Sequence, residues 1–138
     1  MANTYFRNCF ICGDENPAGL HLKNTYVGEK SHMELEITPE LSGLSGLMHG
    51  GFTCMLLDEV MYYAIERIRV KTVTLTMTVN YKAPARVGHH LVCEGWIESR
   101  DGKKINAAGR VTDKTNDTVI AEAQGKYYEI NLEKFLNL

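Results

Sequence analysis

The sequence has little of what marks several classes of protein. Three prolines in 138 residues exclude a proline-rich linker, and a net charge of −2 argues against a basic nucleic-acid surface. No apolar run is long enough to span a bilayer, because Asp58 and Glu59 interrupt the longest one. The first residues lack the charged start and apolar stretch of a signal peptide. We therefore expect a cytoplasmic protein that binds neither nucleic acid nor membrane.

Cysteine is also scarce. A chain of this length buries enough core to need no disulfide, so the four cysteines are expected to be free thiols. Cys9 and Cys12 have the spacing of half a zinc site, and His21 and His32 could complete it, but no second cysteine pair is present. The pattern favours a packed N-terminal cap over residues 1–19, with no metal and no cofactor.

What the sequence does contain is a clear order of elements in one domain, 1–138. Weak alternation indicates two strands, a helical apolar run follows, and four strands with period-two alternation come after it. The predicted bounds are 20–27 and 32–38 for the first strands, with a turn at 28–31, then 51–67 for the helix, and 72–81, 90–99, 104–112 and 119–130 for the last four strands. An antiparallel sheet with its apolar face against one helix is an α+β fold.

The strand that starts at Thr72 has the clearest alternation in the chain. It predicts a polar face and an apolar face along the whole strand. The polar face would hold Thr72, Thr74, Thr76, Thr78 and Asn80, and the apolar face Val73, Leu75, Met77, Val79 and Tyr81.

The helix carries the residues that indicate chemistry. It is apolar on most sides and therefore expected to be buried, yet Asp58 and Glu59 lie in its middle. His49-Gly50-Gly51 precedes it, and the first N–H groups of a helix have no internal partner and can bind a ligand oxygen. An N–H donor of the kind that binds an oxyanion and a buried carboxylate on one element indicate a site of chemistry.

This arrangement resembles the hotdog fold, and within it the phenylacetyl-CoA-type (PaaI-like) acyl-CoA thioesterases. In that family the catalytic carboxylate lies nine positions after the histidine of the His-Gly-Gly motif, which corresponds to Asp58. The stretch 74–88 and the opening 9–20 are similar to the family as well. The resemblance implies a curved sheet wrapped around one buried helix, an acyl-CoA substrate, and a homodimer or dimer of dimers.

Thioester hydrolysis requires a polarised carbonyl and an activated water or nucleophile. We expect the N–H of Gly51 to polarise the carbonyl and Asp58 to act as general base or to attack directly. The resemblance gives Thr74 the role of orienting water. Two bland alternatives remain open: Asp58 as a structural buried acid and Thr74 as an ordinary polar-face residue.

Four further residues are candidates for the site. His49 is expected to hydrogen-bond the backbone and shape the turn rather than transfer protons, and Gly50 to contact substrate. Met61 and Tyr62 are candidates for the acyl pocket, although core packing explains both equally well. Glu59 is turned about 100° from Asp58, which favours structural hydrogen bonds or a dimer contact.

Spacing along the helix adds a constraint that does not depend on the family. Gly51 and Asp58 lie seven residues apart, or roughly 10 Å along the axis, so one thioester carbon cannot touch both. We therefore expect the donor of one chain to meet the acid of a second chain.

One departure from the family keeps other functions open. Several relatives carry an asparagine six residues before the motif histidine, where this chain has Gly43. A non-catalytic acyl-CoA or thioester-binding protein on the same scaffold is the main alternative. A hotdog hydratase or dehydratase is a weaker one, because it would pair a histidine and an acid differently.

Overall fold

The computed structural model describes residues 4–137, and its elements follow the predicted order of two strands, one long helix and four strands. A short C-terminal helix was not predicted, and single 3-10 turns lie at Thr4–Phe6 and Pro39–Leu41. Within the described residues no helix is long and apolar enough to cross a membrane. The elements are β1 (Thr25–Val27), β2 (Lys30–Glu36), α1 (Gly50–Glu66), β3 (Thr72–Tyr81), β4 (His90–Asp101), β5 (Lys104–Asp113), β6 (Thr118–Glu129) and α2 (Leu132–Phe135).

The six strands form one antiparallel sheet in the order β1-β2-β4-β5-β6-β3, which confirms the predicted α+β class. Helix α1 lies very close to this sheet because glycines face it. A Cβ atom at Gly95 would come within 2.3 Å of the carbonyl oxygen of Val60, and one at Gly125 within 3.2 Å of Met61 Cε. The absence of side chains at these positions lets the sheet wrap the helix.

The N-terminal segment, residues 4–19, covers the side of α1 that the sheet leaves open. Phe10 stacks on Phe52 at a centroid distance of 6.1 Å, and Phe6 meets Tyr62 edge-on at 5.3 Å. Ile11, in the same segment, is buried in the core. Packing on both sides explains why the helix is apolar around most of its circumference.

The first predicted strand is wrong over residues 20–24, since the sheet contains only Thr25–Val27 of it. The N–H groups of Leu20 and Leu22 donate instead to the carbonyls of Phe10 and Ile11. Their apolar side chains pack on the core, so the alternation was real, but the N-terminal segment satisfies the backbone in place of a strand. The turn is also shorter than predicted, because Lys30 already belongs to β2.

Strand β3 contains a bulge that the sequence pattern does not show. Thr74 pairs with Tyr127 and Thr76 with Lys126, which leaves Leu75 without a register partner. The extra residue reverses the alternation, so that Thr74 faces α1 on the same side as Met77. The prediction of one uninterrupted threonine face is therefore wrong, and the bulge is what brings Thr74 to the helix.

Candidate active site

Asp58 lies at the middle of α1 and accepts hydrogen bonds from two hydroxyl groups of the sheet. Thr74 Oγ1 donates to Asp58 Oδ1 at 2.9 Å, and the hydroxyl of Tyr127 donates to the same oxygen at 2.8 Å. The second oxygen, Oδ2, has no hydrogen-bond partner among residues 4–137. Two fixed donors on one oxygen orient the carboxylate and leave the other oxygen available to a ligand or water.

Tyr127 is fully buried and donates its hydroxyl proton to Asp58. Burial, together with the neighbouring carboxylate of Asp58, raises the pKa of the Tyr127 phenol. It therefore keeps its proton at neutral pH. The phenol also lies 3.3 Å from the backbone carbonyl of Asp58, which ties the sheet to the helix at this residue.

The start of α1 is built around His49. This residue is the N-cap, and its Nδ1 accepts a hydrogen bond from the N–H of Gly51 at 2.8 Å. The N–H of Phe52 donates to the carbonyl of His49 at 3.0 Å. The N–H of Gly50 has no acceptor among residues 4–137, and Gly50 is exposed. His49 thus shapes the turn as the sequence predicts, while Gly50 rather than Gly51 has the free donor.

A tyrosine holds this turn from the end of β3. The hydroxyl of Tyr81 donates to the carbonyl of Gly50 at 2.7 Å and lies 3.0 Å from Cys54 Sγ. Partial desolvation of the hydroxyl and its contact with Cys54 raise the pKa of Tyr81 to about 12. Tyr81 therefore fixes the orientation of the first peptide of the helix as a neutral donor.

Gly43, which stands where several relatives have asparagine, lies directly against His49. A Cβ atom at Gly43 would come within 2.9 Å of His49 Cα and 3.1 Å of its ring atom Cδ2. Any side chain at this position would force the loop away from the histidine. Position 43 therefore provides no side-chain amide beside the helix start.

Glu59 faces a different environment from Asp58. The thiol of Cys9 donates to its carboxylate, with Sγ 3.5 Å from Oε2, on the side of α1 that the N-terminal segment covers. Burial raises the pKa of Glu59 to about 8. Asp58, by contrast, has hydroxyl donors on one oxygen and, among residues 4–137, no hydrogen-bond partner on the other.

The two residues predicted to line an acyl pocket, Met61 and Tyr62, have different surroundings. Met61 is fully buried between α1 and the sheet, where it packs against Gly109 and Gly125. Tyr62 is half-buried and packs on Phe6. Their role as acyl contacts stays a prediction, whereas their role in the core is visible.

Three residues of the site were missed by sequence reasoning: Tyr127, Tyr81 and Cys54. For Tyr127 a signal was present, since Ala121, Ala123 and Gly125 form a row of small inward residues in β6 and Tyr127 continues it. The hydroxyl of a tyrosine at the end of such a row lies near the element that packs against the small residues. No comparable signal identified the contacts of Tyr81 or Cys54.

A profile of the thioesterase superfamily matches residues 45–120, which is more than half of the chain and includes His49, Asp58 and Thr74. Acyl-coenzyme A thioesterase 13 of Mus musculus is 27% identical over 99 residues, which are 70% of this chain and 70% of that protein. The profile thus covers the helix start, the acid and the hydroxyl that lies against it.

Solved structures give the same fold. The crystal structure of a thioesterase superfamily protein superposes with a TM-score of 0.82 at 24% identity and covers 88% of this chain, while this chain spans only 60% of that one. The PaaI protein of the Escherichia coli phenylacetic acid degradation operon has a TM-score of 0.75 at 16% identity, with 81% of each chain covered. The predicted hotdog fold and thioester-hydrolase class are confirmed, and the chain belongs to the thioesterase superfamily.

Proposed function

We propose that the protein hydrolyses an acyl- or aryl-coenzyme A thioester to the free acid and coenzyme A, with Asp58 as general base or nucleophile. The observation that carries this proposal is the pair of hydroxyl donors on one oxygen of Asp58, while the other oxygen has no partner within the described part of the chain. The name of the murine relative, an acyl-coenzyme A thioesterase, supports the substrate class.

The free oxygen of Asp58 suits either of two reactions. As general base it takes a proton from water while that water attacks the thioester carbon. As nucleophile it attacks the carbon itself and gives a mixed anhydride, which water then hydrolyses. Thr74 supports both routes. Its hydroxyl donates a hydrogen bond to Asp58, and the lone pairs of the same oxygen can accept a hydrogen bond from the attacking water.

We place the carbonyl donor at the start of α1. The N–H of Gly50 is free and exposed, and Tyr81 fixes the same residue through its carbonyl. The N–H of Gly51 contributes only if the ring of His49 turns away, because that ring now accepts it. The positive end of the helix dipole strengthens a donor here as negative charge develops on the thioester oxygen.

A single chain separates these two halves of the site. Gly50 and Asp58 are eight residues apart on one helix, roughly 12 Å along its axis. We therefore propose a homodimer, alone or within a dimer of dimers, in which Gly50 of one copy faces Asp58 of the other. Strand β3 is an edge of the sheet, and the large side chains of Leu75, Tyr81 and Met55 are exposed beside the site. An apolar edge of this kind suits contact with a second copy.

The second candidate is a protein that binds acyl-CoA without hydrolysing it. The contact of Gly43 with His49 favours it, because the loop offers no side-chain amide to the carbonyl. Such a protein would keep the pocket and the dimer while turnover was lost.

A thiol-release assay with a panel of acetyl-, medium-chain, long-chain and phenylacetyl-CoA separates these functions. We expect release of coenzyme A from at least one thioester, and loss of that release in Asp58→Asn with binding retained in calorimetry. Binding of a thioester by the wild-type chain without thiol release would support the non-catalytic candidate. An enoyl-CoA is assayed beside the panel, and loss of its absorbance without thiol release would indicate a hydratase instead.

A further inference from the structure

The segment Cys9–Gly13 folds into a tight turn that holds two thiols together. The N–H of Gly13 donates to the carbonyl of Cys9 at 2.9 Å, and the N–H of Cys12 lies 3.5 Å from Cys9 Sγ. A Cβ atom at Gly13 would be only 2.4 Å from the carbonyl oxygen of Arg7, so this turn requires glycine. Backbone N–H groups aimed at a cysteine sulfur stabilise its thiolate form.

The third member of the cluster comes from α1. Glu59 Oε2 lies 3.5 Å from Cys9 Sγ, and ligand atoms of Cys9, Cys12 and Glu59 all lie within 4.8 Å of one another. Tetrahedral zinc, with Zn–S of about 2.3 Å and Zn–O of about 2.0 Å, requires S···O edges of about 3.5 Å and an S···S edge of about 3.8 Å. Each edge of the cluster is therefore at most about 1.3 Å longer than coordination requires.

Glu59 lacks the partners that a partly buried carboxylate normally has. Within residues 4–137 no lysine, arginine or histidine forms an ion pair with it, and the hydrogen bond that it receives from Cys9 comes from a weak donor. A carboxylate in such surroundings is costly unless a cation or strong donors neutralise it. A metal ion between the three groups would remove this cost.

We propose that Cys9, Cys12 and Glu59 form a binding site for a thiophilic divalent cation, of which Zn²⁺ is the type. Two thiolates and one carboxylate leave the fourth position to water, since the cluster offers three ligand atoms among the described residues. The hydroxyl of Tyr63 donates to Cys12 Sγ at 3.2 Å and would orient that ligand from outside the coordination shell.

The bound cation would fasten the N-terminal segment to α1. Without it, that segment is held by the aromatic contacts of Phe6 and Phe10, by burial of Ile11 and by weak hydrogen bonds of the two thiols. The carboxylate ligand is the residue next to Asp58, so the cation would also fix the helix where the candidate acid lies. This inference does not depend on the proposed hydrolysis.

Cobalt is a direct probe, because Co²⁺ bound to thiolate gives a near-ultraviolet charge-transfer band. We expect the reduced, chelator-treated full chain to take up one equivalent of Co²⁺ with this band, and Zn²⁺ to displace it. The double variant Cys9→Ser/Cys12→Ser should lose the band. Glu59→Gln removes a direct ligand and should bind at least about 10-fold more weakly, which is the smallest loss typical even of an outer-shell partner. The matched control is Cys54→Ser, which removes a half-buried thiol outside the cluster and should still bind one equivalent.

Alkylation of the wild-type chain gives a second measurement that needs no variant to fold. Mass spectrometry after treatment with N-ethylmaleimide should show Cys9 and Cys12 protected by Zn²⁺ by about tenfold or more in rate, with Cys54 unchanged. Absence of a thiolate band in the reduced, folded chain would overturn the proposal. So would equal alkylation with and without Zn²⁺, or a reversible Cys9–Cys12 disulfide with no metal uptake after reduction.

Discussion

Thr74 and Tyr127 face each other across the β3–β6 ladder, and their hydroxyls converge on the same carboxylate oxygen of Asp58. The arrangement depends on the bulge at Leu75, which turns Thr74 towards α1. One partner is an exposed edge residue and the other is fully buried. The two donors therefore play different parts: Tyr127 fixes the carboxylate from the core, while Thr74 connects it to the open surface.

This difference predicts distinct effects of removing each hydroxyl. Thr74→Ala should lower kcat about tenfold with little change in KM, since a group that orients water acts mainly in the transition state. Tyr127→Phe should lower kcat by a similar factor and also lower the unfolding free energy by about 1 kcal/mol, because a buried hydrogen bond is lost. Steady-state kinetics and urea unfolding of both variants measure this. A rise in KM alone for Thr74→Ala would make Thr74 a binding contact.

Replacing the candidate acid itself should have the largest effect on rate. Asp58→Asn keeps the size of the side chain and should reduce hydrolysis by at least about 100-fold, with fold and acyl-CoA affinity retained. Glu59→Gln should affect stability more than rate. Circular dichroism, calorimetry and the thiol-release assay on both variants rank the two acids, and the reverse order would assign the chemistry to Glu59.

The close approach of α1 to the sheet can be tested with two glycines that are register partners in the β4–β5 ladder. At Gly95 an added Cβ would meet the backbone of Val60 at 2.3 Å, which cannot move without shifting the helix. At Gly109 the nearest atom would be the flexible end of Leu57 at 3.2 Å. Gly95→Ala should therefore cost about 3 kcal/mol or more and Gly109→Ala clearly less in denaturant unfolding. Equal costs would show that the helix yields readily.

The sequence predicted α1 within one residue at each end, because a long apolar run with a capping histidine and glycines is a strong local signal. It also predicted Asp58 and Thr74 as neighbours, but only through the family resemblance. The bulge at Leu75 could not be predicted from the sequence, since the alternation of polar and apolar residues along the strand looks the same with or without an extra residue. The Cys9–Cys12–Glu59 cluster could not be predicted for another reason. Glu59 lies 47 residues after Cys12, on a helix whose sequence indicates a catalytic role and no metal site.

The buried carboxylate of Asp113 predicts how stability depends on pH. Asp113 is fully buried, and its carboxylate contacts His89 Nδ1 at 2.6 Å and the N–H of Thr115 at 2.9 Å. Burial alone would raise the pKa of Asp113, but these hydrogen bonds outweigh it and hold the pKa below its usual range. The unfolded chain thus binds the proton first, and stability should fall as the pH drops below about 4.

Asp113→Asn removes that titration and weakens the contact with His89. We expect a loss of about 1–3 kcal/mol in unfolding free energy at neutral pH, and a flatter dependence on pH in the acid range. The control is Asp117→Asn in the same turn. The side chain of Asp117 is exposed, and asparagine can adopt the positive φ of 56° found at this position. Asp117→Asn should change stability little, and an unchanged acid slope in Asp113→Asn would contradict the assignment.

Mixing two inactive variants tests whether the site is shared between chains. Asp58→Asn lacks the acid, and Gly50→Val places a branched side chain beside the carbonyl donor. The Cβ of that side chain would meet the Tyr81 hydroxyl at an ordinary 3.4 Å, and circular dichroism checks that the variant folds. Each homodimer should be inactive, since both of its sites carry one lesion. A heterodimer contains one site with both lesions and one site with neither, so activity should return towards half of the wild-type value per dimer. Subunit exchange is followed by native mass spectrometry with one variant isotopically labelled. Confirmed exchange without any recovery of activity would place donor and acid in one chain, and would require α1 to bend so that groups roughly 12 Å apart reach one carbonyl.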